Sequence, residues 1–117
     1  MALVIRRINR SYTVGRGAVE LRIVVGDGQL GSTVAKLDGV EIASGILAML
    51  RIGDGPDLKG SKLRVATTVT DVQRGSNHTS VTYELSGGQP SPAPFPMDVD
   101  ADHSGGSVMY IATFTFE

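Results

Sequence analysis

The chain has 117 residues, of which 41% are hydrophobic and 20% charged, with a formal net charge of −1 and no cysteine. This composition is typical of a folded protein, and we predict one domain over residues 1–117. The lack of cysteine excludes thiol catalysis, thiolate-bound zinc and disulfides. The near-zero charge argues against general nucleic-acid binding, and no apolar run approaches the ~20 residues of a membrane span.

The N-terminal segment, MALVIRRINRSYTV, places Arg6, Arg7 and Arg10 directly after an apolar run of only four residues. Such a run is too short for the apolar centre of a secretory signal, so we expect a cytoplasmic protein or one exported without an N-terminal signal. One face of the segment combines large apolar side chains with two arginines: Val4, Ile8, Tyr12, Val14, Arg6 and Arg10. This imperfect alternation predicts an edge strand that holds a bulge or accepts a partner strand.

Four further segments alternate apolar and polar residues with a period of two, which predicts antiparallel strands that bury one face. They are AVELRIVV from Ala18, KLRVATTVTD from Lys62, NHTSVTYEL from Asn77 and MYIATFTFE from Met109. Between the first two, Asp38-Gly39 predicts a type I′ hairpin, because glycine accepts the positive φ of that turn. The segment GILAMLRIG, residues 45–53, is apolar at most positions and predicts a central strand buried on both faces.

Glycine and proline mark the predicted connections. The tripeptide GDG occurs at residues 26–28 and 53–55, and both copies predict loops. Residues 86–96 hold a proline at every second position from Pro90, which predicts an extended segment unsuited to an inner strand. A long connection before the last strand is typical of a Greek-key crossing between two sheets. We therefore predict an all-β fold, an antiparallel β-sandwich of immunoglobulin-like or jelly-roll character, with a small closed β-barrel as the runner-up.

Asp98, Asp100 and Asp102 alternate near the C-terminus and are followed by His103. Carboxylates on one strand face could bind calcium with His103 and with Asp27 or Asp54 of the GDG segments. The spacing does not fit an EF-hand, since the sixth and twelfth positions counted from Asp98 lack the required glycine and glutamate. The interpretation we favour is that these charges discourage pairing at a sheet edge, and we expect no cofactor.

Charge is unevenly distributed along the chain. Residues 1–24 contain five arginines and one acid, whereas residues 84–117 contain five acids and neither lysine nor arginine. We predict an interface that joins the two ends of the chain, formed by Arg6, Arg7, Arg10, Asp98, Asp100 and Asp102. These groups would pair within one chain or, as our working hypothesis, between chains in a head-to-tail contact.

Candidate catalytic residues are scarce. His78 and His103 are the only histidines, and no G-x-S-x-G nucleophile motif is present, so a hydrolytic enzyme is only a residual hypothesis. We predict a non-enzymatic structural or adaptor module that forms homo-oligomers or docks with other protein subunits, without nucleic-acid or membrane partners. The alternative is a calcium- or glycan-binding module. Its candidate residues are Asp27, Asp54, Asp57, Asp98, Asp100, Asp102 and His103, with Asn77 and Tyr83 if they are exposed.

Overall fold

The computed structural model describes residues 3–26, 30–70, 77–101 and 106–117. This part of the chain forms ten strands and one short helix. In chain order they are β1 (Val4–Val14), β2 (Ala18–Val25), β3 (Leu30–Leu37), β4 (Val40–Gly45), β5 (Met49–Asp54), α1 (Gly55–Leu58), β6 (Lys62–Thr70), β7 (His78–Ser86), β8 (Gly88–Gln89), β9 (Ala93–Asp100) and β10 (Ser107–Phe116). Among the described residues, no helix is long and apolar enough to cross a membrane.

The strands form two sheets that pack face to face, which confirms the predicted β-sandwich and not the closed barrel. One sheet has six strands in the order β4-β3-β6-β10-β1-β8, and the other has four in the order β5-β2-β7-β9. Every pairing is antiparallel except that of β1 with β10, which is parallel from Val4 opposite Val108 to Tyr12 opposite Phe116. A short hairpin would force its two strands to be antiparallel. β1 and β10 come from opposite ends of the chain and are not linked by a hairpin, so they can pair in parallel.

The predicted alternation is confirmed in β2, β6, β7 and β10, each of which buries every second side chain. Aromatic contacts join the two sheets at the centre of the core. The ring of Phe114 lies edge-on to Tyr83 at a centroid distance of 6.3 Å and tilted against Phe95 at 4.9 Å. Burial of this apolar surface is the main force that holds the sheets together.

Buried hydroxyl groups also bridge the sheets. The Tyr83 hydroxyl of β7 donates to Oγ1 of Thr67 on β6, at 2.6 Å, and Thr67 shares a second hydrogen bond with Thr33 at 2.8 Å. A second bridge joins Thr79 of β7 to the hydroxyl of Tyr110 on β10, at 2.6 Å. Burial raises the pKa of the Tyr83 phenol well above its ordinary value. These bonds satisfy hydroxyls whose burial without a partner would cost about 1–3 kcal/mol each.

The hairpin predicted at Asp38-Gly39 is confirmed. Asp38 and Gly39 have φ angles of 50° and 84°, both positive as a type I′ turn requires. The Asp38 carboxylate also accepts a hydrogen bond from the backbone N–H of Lys62 at 2.9 Å, and this bond lowers the pKa of Asp38. The turn is therefore tied to the start of β6 as well as to its own two strands.

Two predictions about residues 45–55 are wrong. The segment was expected to form a doubly buried central strand, but β5 lies at the edge of the four-stranded sheet and pairs only with β2. Ile46 and Met49 are 88% and 61% exposed, so apolar character here does not indicate burial. The second GDG is not a loop either, because Gly53 and Asp54 end β5 and Gly55 begins α1. Residues 27–28 of the first GDG lie outside the described residues.

The proline-rich segment lies at a sheet edge, as predicted. β9 pairs only with β7, in a register that places Pro94 opposite Glu84 and Pro96 opposite Thr82. Proline has no N–H to donate, so it is tolerated where a strand has one neighbour. The segment is not the long connection that was predicted, because it forms β8 in the six-stranded sheet and the start of β9 in the four-stranded sheet. The chain then returns from β9 to β10 in the six-stranded sheet.

Candidate interaction surfaces

β1 leaves most of one edge open. β10 pairs with one side of β1 over residues 4–12, whereas β8 pairs with the other side only at Thr13 and Val14. Within the described part of the chain, no strand pairs with the remaining length of that side. Leu3 and Ile5, beside this edge, are 47% and 46% exposed. β1 is thus the last long strand before the edge, which β8 forms beside its final two residues, and the bulge predicted for β1 is absent from its register with β10.

The three arginines of β1 point to two different sides of the sheet. Arg6 and Arg10 are paired with Tyr110 and Phe114, whose side chains face the core, so both lie on the inner side at the open edge. Arg7 is paired with Ile111 on the outer side. All three are exposed. Successive residues of a strand face opposite ways, and the predicted interface is therefore divided at β1.

Arg7 instead joins cations from other strands on the outer face of the six-stranded sheet. We call this set the cationic face and define it by Arg7, Lys36, Lys62 and Arg64. Lys36 and Arg64 are direct cross-strand partners, and the only acid that the described strands add to this face is Glu41, opposite Lys36. The ion pairs found among described residues include none of the four cations.

An apolar strip, which we define by Ile111, Met109 and Ala66, runs through the cationic face. Ile111 points outward from β10, yet it is only 4% exposed and does not belong to the cluster that fills the core. Two shallow depressions of about 310 Å³ lie over this strip. The residues lining the first are Arg7, Ile8, Asn9, Arg64, Ile111 and Thr113. The second is lined by Val34, Lys36, Arg64, Ala66 and Met109, so Arg64 lies between the two.

The outer face of the four-stranded sheet presents carboxylates at β9. Asp98 and Asp100 are exposed there and lie opposite Ser80 and His78 of β7. His78 Nδ1 is 2.9 Å from Oδ1 of Asp100, and its Nε2 is 3.6 Å from Oδ2 of Asp98. Sequence reasoning gave His78 no partner and missed this contact. Only the register of β7 with β9 brings the three residues together.

The predicted calcium site is not assembled by its described members. Among the residues described, no group of three or more histidines, aspartates or glutamates is placed to hold a metal ion. Asp27, Asp102 and His103 lie outside the described residues. Asp54 is paired with Ala18 at one end of the four-stranded sheet, whereas Asp100 lies at the other end, roughly 30 Å away along the strands.

The combination of Asp54 and Asp57 with Asp98 and Asp100 in one site is therefore wrong. Asp57 follows Asp54 in α1 and so lies at the same distant end. Tyr83 does not meet the condition of exposure that was set for a sugar contact, because its side chain is fully buried. What remains exposed at the β9 end is the group formed by His78, Asp98 and Asp100.

Pairing between the predicted interface residues of one chain is not formed in the part that the structure describes. None of Arg6, Arg7 and Arg10 makes an ion pair with Asp98 or Asp100, whose ion-pair partner is His78. Arg10 donates instead to the backbone carbonyl of Asn9 at 2.9 Å. Comparison of the chain with protein-family models, with curated proteins and with solved structures found no match.

Proposed function

We propose that this protein is a non-enzymatic structural or adaptor module that self-associates or docks with other protein subunits in a larger assembly. The observation that carries the proposal is the separation of charge between the two outer faces of the sandwich. The six-stranded sheet presents the cationic face, whereas the outer side of the four-stranded sheet is net acidic. Its described strands place four carboxylates there against two arginines: Glu20, Glu84, Asp98 and Asp100 against Arg22 and Arg51. Surfaces of opposite sign attract one another across chains when they do not neutralise each other within one chain.

The exposure of these groups supports the same proposal. An ion pair between exposed side chains of one chain contributes only about 0–1 kcal/mol, so surface charges are poor contributors to folding. Among the described residues, Arg7 and Arg64 have no ion-pair partner, and the ion pairs of Asp98 and Asp100 are with His78 alone. Their charge is thus available to steer a second molecule.

The open edge of β1 adds a second mode of association. Backbone N–H and C=O groups along an unpaired edge can bond to an extended segment of another chain, which then becomes an added strand. The exposed side chains of Leu3 and Ile5 would add apolar contact to such a strand. The register of β1 with β10 is regular, so the edge is presented without interruption.

The test of the proposal is the absolute mass by multi-angle light scattering on a sizing column, at low and at high salt. We expect a multiple of the 12.3 kDa chain mass at low salt, which dissociates at high salt because screening weakens contacts between exposed charges. A multimer that persists at high salt would indicate that the interface lies at the β1 edge or on apolar surface and not between the charged faces. A monomer at both salt concentrations would contradict self-association.

A further inference from the structure

The outer face of the six-stranded sheet has the composition of an interface. Interfaces combine an apolar centre with a polar rim and are enriched in arginine. Here Ile111 lies at the centre, with Met109 and Ala66 beside it, and Arg7 and Arg64 line the depression over it. The stems of such arginines cover apolar surface while their guanidinium groups remain available to carboxylates.

The charge of this face requires an acidic partner. The cationic face carries four cations and one acid, Glu41, so the formal charge of this face on the described strands is +3. A neutral apolar partner would bury guanidinium groups without compensation, which is costly, whereas carboxylates would pair with them. The occupant must therefore combine small apolar groups with carboxylates on a regular surface.

The outer side of β9 has these properties. Four alternate residues point outward and are exposed: Pro94, Pro96, Asp98 and Asp100. Alternate residues of a strand are spaced by about 6.6 Å, so two proline rings are followed by two carboxylates in one straight row. Proline loses little conformational freedom when it docks, because its ring already restricts φ.

We infer that the cationic face binds the outer side of β9 of a second copy of this chain, with Asp98 and Asp100 between Arg7 and Arg64 and the prolines farther along β10, over Met109. This inference rests on the proposed function and names its interface. The cationic face and β9 belong to opposite outer sides of the sandwich. The contact is thus heterologous, and it continues from copy to copy as a ring or a filament.

Two complementary variants test this contact. The first, Arg7→Glu with Arg64→Glu, removes the cationic face and keeps β9. The second, Asp98→Asn with Asp100→Asn, removes the carboxylates and keeps the cationic face. At a concentration where the wild-type chain is multimeric, we expect each variant alone to run at 12.3 kDa by light scattering. Their mixture should form pairs of twice that mass and nothing larger, because only one intact contact remains.

A matched control carries the same charge change elsewhere. Arg16→Glu with Lys59→Glu alters two exposed cations outside both surfaces and should assemble like the wild-type chain. Thermal melting followed by circular dichroism verifies that each variant is folded, and Arg64→Gln alone replaces the first variant if that one is unfolded. We expect this single change to weaken association at least tenfold.

The outcomes separate the inference from the proposed function. A wild-type chain that is monomeric at every salt concentration contradicts the proposed function itself. A multimeric wild-type chain whose variants all assemble normally keeps the proposed function and overturns the inference. If only the arginine variant dissociates, the cationic face binds another acidic surface, and β9 is the wrong occupant. Two monomeric variants that fail to pair when mixed also overturn the inference.

Discussion

The inner and outer sides of the two sheets differ in the kinds of residue that they present. On the inner sides, both sheets present buried apolar residues and hydroxyls that contact one another, as Phe114 does with Tyr83. On the outer sides, the six-stranded sheet presents the cationic face, whereas the four-stranded sheet presents Asp98 and Asp100. The inner sides are thus complementary within one chain, whereas we propose that the outer sides are complementary between copies.

From this difference we expect that the stability of the fold and the proposed association between copies depend on separate residues. Substitutions on the inner side should lower the free energy of unfolding, because they remove buried contacts or leave a buried polar group without a hydrogen-bond partner. Exposed charges on the outer side contribute little to folding, and under the proposed function they act on a partner instead. Three predictions on single residues test the folding half of this comparison, and the paired variants described above test the association half.

The largest effect is expected for Phe114→Ala. Phe114 is fully buried and contacts Tyr83 and Phe95 of the other sheet, so truncation removes apolar contact and leaves a cavity. Such a change lowers the free energy of unfolding by about 3–5 kcal/mol. Urea denaturation measures the loss. Thr115→Ala, on the outer side of the same strand, is the control, and an equal loss for both variants would contradict the distinction between the two sides.

The second prediction concerns alkaline pH. Burial raises the pKa of Tyr83 and also that of Tyr12, whose hydroxyl accepts a bond from the backbone N–H of Gly88. Above about pH 10 the unfolded chain loses these protons while the folded chain keeps them, so stability falls as pH rises. Each tyrosine should lower the free energy of unfolding by up to about 1.4 kcal/mol per pH unit in that range.

Tyr83→Phe isolates the contribution of one tyrosine to this alkaline loss. At neutral pH the variant should lose about 1 kcal/mol, because Thr67 no longer receives the hydroxyl bond of Tyr83. Between pH 10 and 11 its stability should fall less steeply than that of the wild-type chain. Denaturation curves at several pH values provide the comparison. Equal slopes for the two proteins would show that Tyr83 is not the titrating group.

The smallest effect is expected for His78→Ala. His78 hydrogen-bonds to Asp100 on an outer side, where solvent competes with the contact. Removing it should change the free energy of unfolding by about 1 kcal/mol or less. Thermal melting measures this change, and Thr79→Val, which removes the neighbouring buried hydroxyl bond to Tyr110, gives the contrast. A larger loss for His78→Ala than for Thr79→Val would reverse the expected order.

Local pattern was sufficient to predict much of the fold. The alternation of Leu63, Val65, Thr67 and Val69 identified β6 and its buried side, and Asp38-Gly39 identified the hairpin. The prolines of β9 indicated an edge because proline has no N–H to donate, so a strand that contains proline cannot complete its hydrogen bonds to a neighbour on each side. The same reasoning failed for residues 45–53, since Met49 of β5 remains exposed on an outer side and Ile46, between β4 and β5, is exposed as well.

The surfaces were less accessible to sequence reasoning. Arg6, Arg7 and Arg10 were treated as one patch because they are close in sequence, but β1 directs Arg7 to the outer side and the other two to the inner side. Arg64 and Lys36 were missed, because nothing near them in sequence indicates that β3 and β6 lie in the same sheet as β1. His78 was missed for the same reason.

What the sequence by itself determined is therefore the class of the fold, the buried side of most strands and the position of the main hairpin. These depend on neighbouring residues, through the two-residue period of a strand and the φ preferences of glycine and proline. Only the tertiary structure decided which strands are neighbours, and hence that Arg7, Lys36 and Arg64 share one face while Asp98 and Asp100 lie on the opposite side. Strand order is set by the packing of the whole core, which joins residues far apart in the chain, and no local pattern records it.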